Sequence, residues 1–273
     1  MADGTDEDFW GSMCDPAVVN APVPPVPAPR LVVGGTRARD VGLLRRALAE
    51  VLGASLAARP DGGAGSSRRA AGPKDREAAG SAEAAIVERS TTSAPADAPL
   101  EWSLLVPIGP DEDPAVVRAD LVGCLDDVSE RTDLILRTSG STTGTGSLVA
   151  MSASALAASA RAAHSRLGGP GTWVLTLPAH HVAGLQVLVR SLLAGTRPVV
   201  VDTAGGFKPG ALTSGLERAL ASAAGGPVYV PLVPTQLLRV LDEPPAAAVL
   251  ARASAVLVGG AAADPRMLAR ART

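Results

Sequence analysis

From Thr132 onward, short apolar runs and longer amphipathic stretches take turns, and that rhythm leaves little choice of architecture. DLILRTS, TWVLTLP, RPVVVD, PVYVPLV and AVLVGG have the composition of strands. Between them MSASALAASARAAHSRL, VAGLQVLVRSLLAG, PGALTSGLERALASAA, PTQLLRVLD and PAAAVLARA have the spacing of helices, and DPRMLARAR begins another. Strands separated by helices cannot close as hairpins. They predict an α/β fold in which a parallel sheet is joined by crossover helices. VLTL, PVVV and AVLV show no polar alternation and predict strands buried on both faces. Only 2% of the residues are aromatic, so the core has to be aliphatic.

The upstream half is less regular. Residues 1–29 are acidic and then Pro-rich (APVPPVPAPR), the composition of a disordered lead-in. Residues 30–131 read as an α/β segment. It holds a strand at Leu31-Val32-Val33, a helix over VGLLRRALAEVLGASLAA with Asp40 as its cap, a strand in WSLLVPI and a helix from Asp113 to Leu125. Residues 60–99 carry Gly, Ala, Ser and charge without an apolar period and read as a flexible insertion. The regular region is 132–273.

The formal net charge is −2, which disfavours a nucleic-acid partner. Cys14 and Cys124 lie far apart, with no metal-ligand spacing, and read as free thiols. No metal site is expected. The acidic start MADGTDEDFW lacks the features of a signal peptide, and Val182–Val201 is too interrupted by polar residues to span a bilayer. These features predict a cytoplasmic protein without a membrane span.

The segment RTSGSTTGTGS, Arg137 to Ser147, follows the apolar run Leu134-Ile135-Leu136. Ligands of open α/β sheets bind beyond the carboxyl ends of strands, which is where this loop starts. Gly140, Gly144 and Gly146 let backbone N–H groups approach a ligand, and Ser139, Ser141, Thr142, Thr143 and Thr145 add hydroxyls. With the N-terminus of a following helix, that makes a neutral cradle for phosphate. The Walker pattern fails for want of a lysine, and Gly144-Thr145-Gly146 is followed by Ser, Leu and Val, so the dinucleotide fingerprint fails too. A plain Gly/Ser linker is the competing reading.

TSGSTTGTGS resembles the phosphate-binding signature of the adenylate-forming enzymes, the acyl-CoA ligases and their relatives. Three further blocks resemble that family in the same order: LPAHHVAGLQVLVRSLLAGTRPVV, VPLVPTQLLRVL and AVLVGGAAADPRML. Within the family, Arg137–Arg272 is most similar to the o-succinylbenzoate–CoA ligases. The resemblance implies part of the large N-terminal domain of such an enzyme. It also implies two steps, in which a carboxylic acid attacks ATP to give an acyl-adenylate and coenzyme A then displaces AMP. The expected partners are therefore a small carboxylic acid, ATP and CoA, with Mg²⁺ as cofactor, and the expected setting is menaquinone biosynthesis.

By the same resemblance, Thr138, Ser139, Gly140, Ser141, Thr142, Thr143 and Gly144 would hold ATP phosphates. Gly259, Gly260, Ala261 and Ala262 would lie against adenine, although an ordinary turn fits them as well. His181 would border the acyl site as the catalytic contact, with His180 in support, and Gln186 and Arg190 would reach the acid or simply a partner. Read without the family, the two histidines cap or cover a helix. His164 reads as a solvated helix residue. Two departures stand out. Thr143 takes the place of the second glycine, and the usual loop lysine is absent, Lys74 and Lys208 being the only lysines in the chain. The charge on the phosphates then falls to Mg²⁺, Arg137 or backbone dipoles. The family's later motifs are absent as well, so a truncated ligase is expected, inactive or nearly so alone, with an apolar sheet edge that leaves room for a homo-oligomer. The alternative is a non-catalytic nucleotide- or acyl-binding protein.

Overall fold

The computed structural model describes residues 29–58, 104–125, 128–129, 131–138 and 147–272. Most of the expected lead-in and all of the expected insertion at 60–99 lie outside the described residues, as does the loop from Ser139 to Gly146. In chain order the elements are β1 (Arg30–Val33), α1 (Ala38–Ala58), β2 (Leu105–Ile108), α2 (Pro114–Val122), β3 (Leu134–Arg137) and β4 (Leu148–Met151). Then come α3 (Ala153–Leu167), β5 (Thr172–Leu175), α4 (Val182–Leu193), β6 (Val199–Val200) and α5 (Pro209–Ser222). The last are β7 (Val228–Leu232), α6 (Pro234–Leu241), α7 (Pro244–Leu250), β8 (Ala255–Val258) and α8 (Pro265–Arg270).

Two four-stranded sheets result, ordered β1-β2-β3-β4 and β6-β5-β7-β8. The second is wholly parallel, as the strand–helix alternation predicts. The first is parallel from β1 to β3, and it continues across position 131/132. Its last strand departs from expectation. The stretch before α3 does not go straight into a helix. Leu148–Met151 forms β4 and runs antiparallel to β3, in a register that pairs Leu134 with Met151 and Arg137 with Leu148. The hydroxyl-rich segment is therefore a hairpin connection, not a strand-to-helix turn.

The elements begin where their sequences say they should. Asp113 caps α2, its Oδ1 accepting from Ala115 N at 2.8 Å, with Pro114 in the first turn. Ser152 caps α3 in the same way, and Gly168 ends that helix with φ 87°. Helix α1 starts earlier than expected, at Ala38, so Asp40 sits inside the first turn and favours the positive helix end rather than capping it. Val41, Leu44, Leu48 and Leu52 recur at helical spacing and are all buried.

The core is aliphatic except at one point. Trp173 of β5 and Tyr229 of β7 are fully buried, ring centroids 5.0 Å apart and tilted by 52°. The Tyr229 hydroxyl is within 3.1 Å of the Leu167 carbonyl and 3.0 Å of the Gly169 carbonyl, so its polar end is satisfied. The central strands β5 and β7 are buried throughout. PVVV and AVLV, expected to be buried on both faces, become the outer strands β6 and β8 and are only half-buried. Strand order, not local hydropathy, sets that difference. His164 departs from expectation too. It is 8% exposed, because α3 turns that face toward α4.

Candidate functional site

In the second sheet the chain leaves β5, crosses by α4 to β6 on one side, and returns by α5 to β7 on the other. The order of strands reverses there, and such a switch point is where open α/β sheets bind ligands. The ends of β5 and β7 are locked together. Thr176 Oγ1 donates to the Pro231 carbonyl at 2.6 Å. The Gln236 side chain donates to the Thr176 carbonyl at 3.3 Å and accepts from Val233 N at 3.0 Å.

The segment after β5 then runs against the first sheet. Ala179 N donates to the Gly35 carbonyl at 3.0 Å, and Gly34 N donates to the Ile108 carbonyl at 2.8 Å. His180 Nδ1 hydrogen-bonds the Gly34 carbonyl. A Cβ on Gly34 would lie 2.5 Å from Leu44 Cδ2, and one on Gly184 would lie 2.2 Å from the Pro178 carbonyl oxygen. The second approach is to backbone and requires glycine. His181 is the N-cap residue of α4 but makes no capping bond, which leaves its ring available. The two imidazoles are 4.3 Å apart, tilted by 49°.

These loops enclose a cavity of about 610 Å³. It is walled by Gly35, Thr36, Arg37 and Asp40 after β1, by Gly109 to Glu112 after β2, by Arg137 and Thr138 at the end of β3, and by His180 and His181 after β5. Four carboxyl strand ends thus meet at one place. Glu112 organises the floor. Its Oε2 accepts from Gly109 N at 2.5 Å, and its Oε1 pairs with Arg137 Nη1 at 2.8 Å. Arg137 also reaches Asp120 at 3.4 Å, so its charge is already answered by two carboxylates.

Both histidines are held below the ordinary imidazole range. For His180 the main cause is burial, then repulsion from His181; the Gly34 carbonyl, Glu112 and Asp111 oppose the shift. For His181 the cause is burial, opposed by Glu112. Near neutral pH both rings are mainly uncharged, able to donate from one nitrogen and accept at the other.

Of the expected site residues, the structure brings Thr138, His180 and His181 into this cavity. Ser139, Gly140, Ser141, Thr142, Thr143 and Gly144 lie outside the described residues, but the root of their loop is fixed. Thr138 N donates to the Ser147 carbonyl and Ser147 N donates to Thr138 Oγ1, both at 2.9 Å. The helix contribution expected there is absent. The N-terminus of α3 lies at the far end of β4, and Asp133 Oδ2 already accepts from Ala153 N at 2.7 Å.

Gly259, Gly260, Ala261 and Ala262 follow β8 on the same carboxyl edge, exposed and outside the cavity wall, with Gly260 at φ 83°. Gln186 and Arg190 sit inside the molecule on one face of α4. Gln186 is buried, and the Arg190 guanidinium carbon lies 4.9 Å from the centre of the Trp173 ring. Burial lowers the Arg190 pKa. Burial and then Arg190 lower that of His164. Sequence reasoning missed Asp40, Asp111 and Glu112. The signal was present, because GGTRARD and GPDEDP also stand just after predicted strands.

A curated relative shows what this chain is similar to. The probable 2-succinylbenzoate–CoA ligase of Mycobacterium tuberculosis is 42% identical over 164 residues, covering 57% of this chain and 42% of the relative, and it matches equally in two strains. Over these residues the chain is similar to an acyl-CoA ligase of the adenylate-forming kind. The chain spans 42% of the length of those curated ligases. No family model matches it. Among similar solved structures, an Escherichia coli MenE variant with bound OSB-AMS is 25% identical, covers 62% of this chain and 41% of its own, and has a TM-score of 0.44. O-succinylbenzoate coenzyme A synthetase from Bacillus subtilis, in complex with ATP and magnesium ion, is 24% identical, covers 52% and 28%, and has a TM-score of 0.41. Superpositions that loose carry no weight, and the likeness rests on the sequence match. Among the described residues no three of His, Cys, Asp and Glu come together to hold a metal. No described helix is long and apolar enough to cross a membrane.

Proposed function

We propose that the protein is an ATP-dependent acid–CoA ligase acting on o-succinylbenzoate, in menaquinone biosynthesis. The observation that carries this reading is the 42% identity over 164 residues to a probable 2-succinylbenzoate–CoA ligase. In this reading the acid's carboxylate attacks the α-phosphate of ATP, pyrophosphate leaves, and the thiolate of CoA then displaces AMP from the acyl-adenylate. The chain's own part is to hold and orient. Thr138 to Gly144 contact the β- and γ-phosphates as pyrophosphate forms. Gly259, Gly260, Ala261 and Ala262 pack against adenine. His181 borders the reacting carboxylate with His180 behind it. Because both rings are mainly neutral, they position an anion by hydrogen bonding without a fixed counter-charge that would favour the bound acid over the transition state. Gln186 and Arg190 act on the acid from α4.

The direct test is thioester formation from o-succinylbenzoate, ATP and CoA. It is run on this chain alone and on this chain joined to the remaining part of the M. tuberculosis relative. Thioester from the joined protein that falls at least about 100-fold on His181→Ala supports the reading. A joined protein that folds, binds ATP and makes no adenylate with any aryl acid overturns it. One observation favours a second reading, a nucleotide- or acyl-binding protein without turnover. The loop has no lysine, and Arg137 at its root is already paired with Glu112 and Asp120. Tight ATP binding with no pyrophosphate release would select that reading.

A further inference from the structure

A second cleft, separate from the first, lies between α1 and the outer strand β6. Its volume is about 530 Å³, and Arg39, Arg45, Arg46 and Arg197 are in its wall. Among the described residues no carboxylate lines it. The chain as a whole is slightly acidic, with formal charge −2, so four converging arginines are not its average surface.

Three arginines elsewhere in the described residues pair with carboxylates: Arg30 with Glu50, Arg137 with Glu112 and Asp120, Arg270 with Asp242. The four in the cleft form no such pair among the described residues. Glu50 stands one helical turn from Arg46, the spacing at which it would pair with it, but it is taken by Arg30 at 2.5 Å. Arg39 and Arg46, two turns apart, share a face of α1. Arg45 is anchored by a long contact from Nη2 to the Thr196 carbonyl, 3.5 Å, and its Nε is buried without a partner. The rest of the wall includes Val41, Pro198 and Val200, so the cleft is amphipathic and not merely charged.

Guanidinium groups grip phosphate oxygens with two parallel N–H donors, and a cleft of this size suits a small molecule rather than a polymer. We propose that the cleft between α1 and β6 binds a small molecule carrying at least two phosphate groups, its oxygens held by Arg39, Arg45, Arg46 and Arg197. This site is independent of the ligase reading.

The test is isothermal titration of the full chain with inorganic pyrophosphate and, separately, with ADP, at low salt. Two variants are compared with the natural chain. Arg46→Gln with Arg197→Gln removes two exposed charges from this cleft, and His181→Ala alters only the first cavity. The expected result is binding that weakens about tenfold or more in the double variant and is unchanged in His181→Ala. Equal affinity for both probes would identify the diphosphate itself as sufficient, and a clear preference for ADP would identify a nucleotide. The proposal is overturned if neither probe binds, if the double variant binds as tightly as the natural chain, or if the loss appears in His181→Ala instead.

Discussion

His180 and His181 share one corner of the cavity, and each has its pKa lowered from 6.5, as does the buried His164. The sign of the consequence is fixed. A histidine whose folded pKa lies below its unfolded value binds more protons when unfolded, so its contribution to stability is complete above pH 6.5 and is lost as pH falls through the folded pKa. Urea midpoints should therefore fall between about pH 7.5 and about pH 5.5, and His180→Gln should flatten that slope. Glycines give a second residue-scale contrast. Gly184→Ala pushes a methyl into the Pro178 carbonyl and should cost about 1–3 kcal/mol. Gly53→Ala, in α1 with nothing within 4 Å of the new methyl, should stabilise by about 0.5–1 kcal/mol. Denaturant titration of the pair checks both signs. Those roles were hidden in the sequence, where Gly34, Gly53 and Gly184 look alike; only the partner brought up by the fold separates them.

The β3–β4 hairpin is the element that sequence reasoning misplaced. Leu148–Met151 is short, lies on the edge of a sheet, and merges without a break into the Ala-rich period of α3, so nothing local marks it as a strand. The helix N-terminus it displaces carries Asp133 instead of a ligand. Asp133→Ala leaves the buried Ala153 N–H without its acceptor and should cost about 1.5–3 kcal/mol, read from the urea midpoint. At the other sheet, Thr176→Val removes the bond that ties β5 to β7 and should cost about 1 kcal/mol or slightly more. The other elements were legible because their ends carry their own punctuation: Asp113-Pro114, Ser152, Gly168 and Pro234.

At the scale of the molecule, the parallel architecture followed from alternation alone, while the order of its strands did not. TWVL and AVLV are equally apolar, yet one becomes a buried central strand and the other an outer one. Amide exchange should show it. Within the second sheet the slowest amides should lie in β5 and β7 and the fastest in β6 and β8, because local opening follows burial. The candidate cavity was half legible for a related reason. A loop rich in glycine and hydroxyls announces itself, whereas Asp40, Asp111 and Glu112 gain their place only when the carboxyl ends of separate strands converge.

Two hydrogen bonds between Thr138 and Ser147 close the hydroxyl-rich loop at its root, and Asp133 fixes the start of α3 at the opposite end of the same strand. Between those two clamps lies the paired β3–β4 ladder, held at both ends. The connection from Ser139 to Gly146 is closed at its root, and lengthening a closed loop adds little entropic cost. Selection on stability alone would scarcely register a residue gained or lost there.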